Sequence, residues 1–153
     1  MKSHPPDLSG KGLRIGIVQS RFNEALVQRM AKACMKALVE AGVKADDIDH
    51  VTVPGALEIP LALQAFALTG NYHALIALGA VVRGETYHFE VVSNESARGV
   101  MDVSLQTGMP VANAILTVNT GEQALARVDE KSAEAALVAI EMAHLVQGIR
   151  KPA

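Results

Sequence analysis

The sequence predicts an α/β fold in which one parallel β-sheet lies between two layers of helices. Short runs rich in Val and Ile alternate with longer segments of helical period, and this alternation occurs four times after residue 12. The length of 153 residues is typical of one domain, and half of the residues are apolar, which supplies a sizeable core. We expect a single three-layer α/β/α domain over residues 13–153, preceded by a flexible arm over residues 1–12 that is rich in Pro and Gly.

Four segments are predicted to be β-strands because β-branched and other apolar residues dominate them. The third is apolar nearly throughout, as expected of a central strand that is buried on both faces. The predicted strands span residues 13–20, 50–53, 73–82 and 111–118.

Five helices are predicted between and after these strands. In the first, Met30, Cys34 and Leu38 share one apolar stripe, so we expect Cys34 to be an unreactive thiol in the core. Gly42 ends this helix and Gly108 ends the third, since glycine favours the left-handed conformation that follows a helix. The predicted helices span residues 24–41, 58–68, 87–107, 120–128 and 131–147.

The last predicted helix is apolar on most of its circumference, and only Glu134, Glu141 and His144 interrupt it. A terminal helix of a small domain buries one stripe against its own sheet. The remaining apolar surface requires another chain to cover it, so we expect a homo-oligomer.

Charge and cysteine content exclude several classes of protein. Fourteen Lys and Arg against sixteen Asp and Glu give a net charge of −2. Without a basic cluster, we expect neither a nucleic-acid partner nor a membrane partner. The single Cys excludes an intrachain disulfide and is typical of a reducing compartment. The first twelve residues are polar and contain no apolar stretch of a signal peptide. No apolar run reaches the length of a membrane span, and we expect a soluble cytoplasmic protein.

Ligands of open parallel sheets bind beyond the carboxyl ends of the strands, which directs attention to the loops at residues 20–23, 54–58, 83–88 and 119–122. None contains the GxGxxG motif of dinucleotide sites or the GxxxxGK[ST] motif of nucleotide hydrolases. The five His residues show no metal-ligand spacing, and one Cys cannot build a zinc site. We therefore expect no metal and no nucleotide cofactor.

Four features of these loops have both a functional and a structural interpretation. Segment 84–86 precedes a helix, so it is either a phosphate site or an ordinary turn with Thr86 as the N-cap. His88 either transfers protons at the pocket rim or is a surface residue. Phe22 either stacks on a flat ring or covers the core. Glu58 either binds hydroxyl or N–H groups, or only stabilises a helix N-terminus.

Four motifs contain the loops at the strand ends, namely RFNE (21–24), VPGALEIP (53–60), LGAVVRGETYHFEVVSNES (78–96) and ILTVNTGEQALAR (115–127). Taken together in this order and spacing, they resemble the 6,7-dimethyl-8-ribityllumazine synthase family of riboflavin biosynthesis. The resemblance covers about residues 13 to 147. It implies a four-stranded parallel sheet in flavodoxin-like order and an enzyme that needs no metal or organic cofactor. It also implies pentamers or larger assemblies of pentamers.

The reaction implied by this resemblance joins 5-amino-6-(D-ribitylamino)uracil to 3,4-dihydroxy-2-butanone 4-phosphate and releases phosphate and water. Phe22 would stack on the uracil, and His88 would transfer protons. The other residues of the uracil and ribityl site would be Ala56, Leu57, Glu58, Ala80, Val81, Val82 and Asn113. The phosphate would be bound by Glu85, Thr86 and Arg127, the last through its planar guanidinium.

Two departures from the family pattern concern substrate binding and assembly. Many members have an aromatic residue in place of Asn113, so a ring contact would become a polar one. Because Asn113 lies near the start of the fourth strand, only a neighbouring subunit would bring it to the site. The link between the last two helices is reduced to residues 128–132, with only Lys131 to replace a family lysine. This shortening favours a pentamer, or two stacked pentamers, over a sixty-subunit shell.

The alternative function is a riboflavin- or lumazine-binding module with weak or no turnover. Asn113 favours this alternative, whereas Thr86, His88 and Arg127 disfavour it. A flavin carrier has no use for a site that binds a butanone phosphate.

Overall fold

A computed structural model describes residues 1–152 and contains one four-stranded parallel sheet. The strands are β1 (Ile15–Ser20), β2 (Ile48–Val53), β3 (Ala74–Val82) and β4 (Val111–Val118), in the order β2-β1-β3-β4. This parallel sheet with helices on both faces confirms the predicted α/β fold and its flavodoxin-like strand order.

The register of β3 against its two neighbours is unequal at the carboxyl end. Pairing between β1 and β3 ends at Gln19 with Leu78, whereas pairing between β3 and β4 continues to Val82 with Val118. The last four residues of β3, 79–82, therefore extend beyond their pairing with β1. Their backbone edge on the β1 side faces the region where ligands bind in such sheets.

Within residues 1–152, five α-helices cover the two faces of the sheet, and two short 3-10 helices occupy connections. The 3-10 helices are Ala45–Asp47 and Ala56–Glu58. The α-helices are α1 (Glu24–Glu40), α2 (Ile59–Thr69), α3 (His88–Thr107), α4 (Gly121–Leu125) and α5 (Val128–Arg150).

Two hydrophobic clusters lie on opposite faces of the sheet. Ile17 points to the cluster that includes α1 and α5, and its neighbour Val18 points to the cluster that includes α2 and α3, as the alternation of a strand requires. Cys34 belongs to the first cluster and is fully buried. This burial confirms the predicted location of Cys34 in the core. It also raises the pKa of the thiol to about 12, so the thiol stays protonated.

The predicted link at residues 128–132 is wrong, because these residues form the first turns of α5. Asp129 and Glu130 lie in the first turn, where the helix dipole favours carboxylates, and Val128 and Ser132 are buried. The predicted helix at 120–128 is correspondingly reduced to α4, and only Ala126 and Arg127 connect it to α5.

The N-terminal arm contacts α5. Residues 1–12 form no helix or strand, but His144 Nε2 donates a hydrogen bond of 2.6 Å to the carbonyl of Ser9. Leu13 and Arg14 precede β1, so the strand begins two residues later than expected. The flexibility of the arm stays a prediction.

The exposed apolar surface is not confined to the last helix. The most exposed large side chains of the helices lie on α2 and α3, at Leu61, Leu68 and Leu105. On α5, which packs against both α1 and the sheet, Leu137, Val138 and Ile149 remain exposed. The last helix therefore leaves apolar surface uncovered, as expected, and α2 and α3 add to it. Over residues 1–152, no helix is long and apolar enough to cross a membrane.

The close contact between α2 and α3 leads to a stability prediction. A Cβ atom added at Gly99 would lie 2.6 Å from Cγ and 2.8 Å from Cβ of Pro60, and the proline ring cannot rotate away. We expect Gly99→Ala to lower the free energy of unfolding by about 1 to 2 kcal/mol, because overpacking outweighs the gain in helix propensity. Urea denaturation measures this change. Gly121→Ala, where no atom lies within 4 Å, is the matched control, and equal stability of both variants would contradict the prediction.

Candidate active site

A cavity of about 450 Å³ opens at the carboxyl ends of the strands. The loops that follow β1, β2 and β3 supply its walls, and its volume lies within the range of small-molecule sites. Nine of the twelve predicted site residues line it, namely Phe22, Ala56, Leu57, Glu58, Ala80, Val81, Val82, Thr86 and His88.

The aromatic ring of Phe22 is available at the mouth of the cavity. Phe22 is the second residue after β1, and it is 74% exposed. Its backbone N–H donates to the carbonyl of Pro54 (3.2 Å), and that of Arg21 donates to the carbonyl of Val53 (2.8 Å). The two loops that border the ring are thus joined to each other. This exposure favours a stacking platform over a cover for the core.

Asn23 connects the loop after β1 to the floor of the cavity. Within residues 1–152 it is the one non-glycine residue with a positive φ, at 62°, and asparagine tolerates this conformation better than most residues. Its side-chain Nδ2 donates to the carbonyl of Ala80 (2.8 Å). The bond orients the residue that follows Phe22, and it also shows that the Ala80 carbonyl points towards β1.

The overhang of β3 forms the cavity floor. Successive residues of a parallel strand direct their backbone N–H and C=O groups to opposite sides. Val82 therefore directs its N–H and C=O to the same side as Ala80, towards β1 and beyond the last pairing with that strand. The backbone N–H of Arg83 instead donates to Val118 on the β4 side (2.9 Å). The floor therefore presents the backbone edge of Val82 beside the apolar side chains of Ala80 and Val81.

Glu58 is an exposed carboxylate in the lining of the cavity. It ends the 3-10 helix Ala56–Glu58 and directly precedes α2. Its side chain makes no hydrogen bond or ion pair among the described residues. A free carboxylate in this position can accept hydrogen bonds from hydroxyl or N–H groups of a ligand.

Segment 84–87 joins β3 to α3 and is exposed throughout. Tyr87 occupies the N-cap position of α3 and makes no side-chain capping bond, so the interpretation of Thr86 as the N-cap is wrong. The first N–H groups of α3 thus lack a side-chain acceptor, which suits a bound anion. His88 is the first residue of the helix and lines the cavity.

The side chain of Arg83 connects the end of β3 to the first turn of α3. Its Nη1 donates to Glu90 Oε1 (2.6 Å), its Nε donates to Asn119 Oδ1 (2.8 Å), and its Cζ lies 4.4 Å from the centre of the Phe89 ring. The hydrogen bond from Arg83 holds the pKa of the Glu90 carboxyl below its ordinary value. Neither Arg83 nor Glu90 lines the cavity.

Three of the predicted site residues lie outside the cavity of this chain. Glu85 is in segment 84–87 but does not line the cavity, and Arg127 precedes α5, where its Nη1 donates to the carbonyl of Gln123 (2.9 Å). Asn113 is the third residue of β4, and its Oδ1 accepts the N–H of Ile115 (2.8 Å).

Sequence reasoning left out several lining residues, although most belong to the loops that it selected. They are Ser20, Asn23, Pro54, Gly55, Gly84, Phe89 and Val92. An asparagine in the loop after a strand indicates a left-handed turn residue, so the conformation of Asn23 could have been predicted. Phe89 and Val92 lie on α3, and only the direction of that helix shows which of its side chains reach the cavity. In residues 1–152, no three His, Cys, Asp or Glu side chains gather as a metal site.

The fold and the cavity define a single-domain α/β protein with a small-molecule site at the carboxyl ends of its parallel strands. The family model described as 6,7-dimethyl-8-ribityllumazine synthase matches residues 12–147. The chain belongs to this family, and it is a transferase of riboflavin biosynthesis.

Relatives that carry the same description are similar over most of their length. The protein of Paraburkholderia phymatum is 57% identical over 148 residues, which cover 97% of this chain and 86% of the relative. That of Burkholderia vietnamiensis is 56% identical, with 95% and 86% covered. That of Burkholderia mallei is 58% identical, with 93% and 82% covered.

The two structural roles of Asn23 can be separated by substitution. Asn23→Gly loses the bond to Ala80 but keeps an easy positive φ, whereas Asn23→Ala loses the bond and adds backbone strain of about 1 kcal/mol. We expect Asn23→Ala to be the less stable of the two by about that amount, as measured by urea denaturation. Equal stability would show that the left-handed conformation at this position is not needed.

Proposed function

We propose that this chain condenses 5-amino-6-(D-ribitylamino)uracil with 3,4-dihydroxy-2-butanone 4-phosphate to give 6,7-dimethyl-8-ribityllumazine, phosphate and water. The observation that carries the proposal is the convergence of Phe22, the β3 floor, Thr86 and His88 on one cavity. Membership of the family supports the same reaction.

The uracil ring is the part of the substrates that suits the floor and the mouth of the cavity. A flat ring stacks on Phe22, and its amide-like edge pairs with the backbone N–H and C=O of Val82, as a neighbouring strand would. Glu58 accepts hydrogen bonds from the ribityl hydroxyls. These contacts place the 5-amino group beside the start of α3.

The phosphate of the second substrate suits segment 84–87. Thr86 supplies a hydroxyl donor, and the N-terminus of α3 supplies free N–H groups and a favourable dipole. The 5-amino group adds to the ketone and loses water to form an imine, after which phosphate is eliminated. The ribitylamino nitrogen then closes the ring with loss of a second water. His88 exchanges protons with the groups that change during these steps.

Asn113 and Arg127 support a site that is shared between subunits. Neither lines the cavity of its own chain, although the family pattern assigns both to substrate binding. In the proposed assembly, a pentamer or two stacked pentamers, a neighbouring copy brings these side chains to the cavity mouth. The exposed apolar side chains Leu61, Leu68 and Leu105 on α2 and α3 supply surface for such contacts.

A riboflavin- or lumazine-binding module with weak turnover is the second candidate, and Asn113 favours it. An amide at this position replaces the aromatic contact of many family members and weakens the binding of a flat substrate. The two candidates differ in steady-state turnover relative to flavin affinity. A binding module would hold riboflavin tightly and form little lumazine.

Turnover with both substrates tests the proposed reaction. We expect lumazine absorbance and fluorescence to develop, and His88→Ala to lower kcat by about 100-fold, the lower limit of a general acid–base contribution. His88→Ala combined with Arg127→Ala should fall further, because phosphate binding is also lost. The matched control is His4→Ala, in the N-terminal arm. Full activity of the double variant would overturn the assignment of these residues.

Light scattering tests the proposed assembly. We expect a particle mass of five or ten times the 16.2 kDa of the chain. Exchange of an apolar contact, Leu105→Asp, should reduce both the mass and the turnover, because the shared site is lost with the interface. A monomer with full turnover would contradict the shared site.

A further inference from the structure

We propose that Arg83 and Glu90 are positioning residues, which hold segment 84–88 in the shape that binds phosphate and that directs His88 into the cavity. This inference rests on the proposed function of the site. It concerns two side chains that lie outside the cavity and therefore act through the segment between them.

The geometry of the Arg83–Glu90 pair closes a loop across the β3–α3 connection. Arg83 directly follows β3 and Glu90 lies in the first turn of α3. Their bond of 2.6 Å therefore joins the end of the strand to the beginning of the helix. Thr86 and His88, which segment 84–88 contributes to the proposed site, lie between these two residues.

Segment 84–87 has little else to hold it in place. All four residues are exposed, and among residues 1–152 none of their side chains takes part in a hydrogen bond. A Cβ atom added at Gly84 would meet nothing within 4 Å. With neither burial nor side-chain bonds, the shape of this segment depends on how its two ends are fixed.

The Arg83 guanidinium is itself held from three directions. Its Nε is bonded to Asn119, whose backbone N–H donates to Gln123 Oε1 (2.7 Å) at the start of α4. Its face lies over the ring of Phe89, the residue between His88 and Glu90. Arginine suits this task because its planar fork binds two acceptors at once and also stacks on an aromatic ring.

The contacts also distinguish positioning from direct binding of phosphate. Nη1 and Nε are engaged with Glu90 and Asn119, and Arg83 does not line the cavity, whereas its neighbours Val82 and Gly84 do. If Arg83 bound phosphate, Glu90 would compete with the substrate and its removal would strengthen binding. If the pair positions the segment, removal of either partner weakens binding.

Steady-state kinetics of Arg83→Gln, Arg83→Lys and Glu90→Gln test this inference. We expect Arg83→Gln and Glu90→Gln to raise the KM for the butanone phosphate and to lower kcat, each by about tenfold, as misplacement of reacting groups does. The KM for the uracil should remain within about twofold, since Phe22 and the β3 floor are untouched. Arg83→Lys should recover part of the loss, because an ammonium group can keep the Glu90 bond but not all three contacts.

The double variant Arg83→Gln with Glu90→Gln should lose no more than Arg83→Gln alone, because the Arg83–Glu90 interaction is already absent in that single variant. Matched controls come from another exposed pair on α3, where Arg98 Nε donates to Glu95 Oε2 (2.9 Å). Arg98→Gln and Glu95→Gln remove the same charges from the same helix, away from segment 84–88. They should leave all kinetic constants unchanged.

Hydrogen exchange provides a readout that does not need turnover. We expect the amides of Glu90 and Val91, which donate to the carbonyl of Tyr87, to exchange about tenfold faster in Arg83→Gln and Glu90→Gln than in the wild-type chain and in the Arg98→Gln control, as expected of local opening. Absence of lumazine formation by the wild-type chain would contradict the proposed function, while faster exchange would still support the positioning role.

Two results would overturn the inference itself. One is tighter phosphate binding by Glu90→Gln, measured with inorganic phosphate as a competitive inhibitor, since this would make Arg83 a phosphate ligand. The other is kinetics and exchange in the Arg83 and Glu90 variants equal to those of the Arg98 and Glu95 controls.

Discussion

The overhang of β3 beyond β1 is the feature on which the candidate site depends. β3 is buried on both faces along almost its whole length, so its position does not depend on a ligand. Pairing between β1 and β3 ends at Gln19 and Leu78. The backbone N–H and C=O groups that follow on this edge of β3 can therefore bond to other partners. Asn23 takes the carbonyl of Ala80, and the edge at Val82 remains beside the cavity. A rigid strand end is a precise floor for a planar ligand, since its backbone groups are placed by the whole sheet.

The walls of the cavity are held by polar contacts where burial is absent. Backbone bonds from Arg21 and Phe22 attach the loop after β1 to the loop after β2, and the side chain of Asn23 attaches it to β3. On the other side, Arg83 connects the end of β3 to α3 and to Asn119 after β4. Exposed ion pairs add little to global stability, so the Arg83 contacts are better explained by the geometry that they impose on one short segment.

The fold and the loops of the candidate site could be predicted because they depend on local patterns, such as the apolar run of β3 and the residues that follow each strand. The family resemblance added the β3 residues Ala80, Val81 and Val82, and nine of the predicted residues line the cavity. The boundary at 128–132 could not be predicted from its charged residues, since such residues are typical of both a link and a first helical turn. The pairing of Arg83 with Glu90 depends on the path of the intervening segment, which no local pattern specifies.

The length of β4 separates Asn113 from the cavity of its own chain. Asn113 lies five positions before Val118, which pairs with Val82, the last residue of β3, and a parallel strand rises about 3.3 Å per residue. Asn113 therefore lies about 16 Å below the level of Val82, farther than its short side chain can reach. If the family role of this position holds here, the chain cannot supply it to its own site. Catalysis then requires a second copy, and the apolar side chains exposed on α2 and α3 become a condition of activity as well as of assembly.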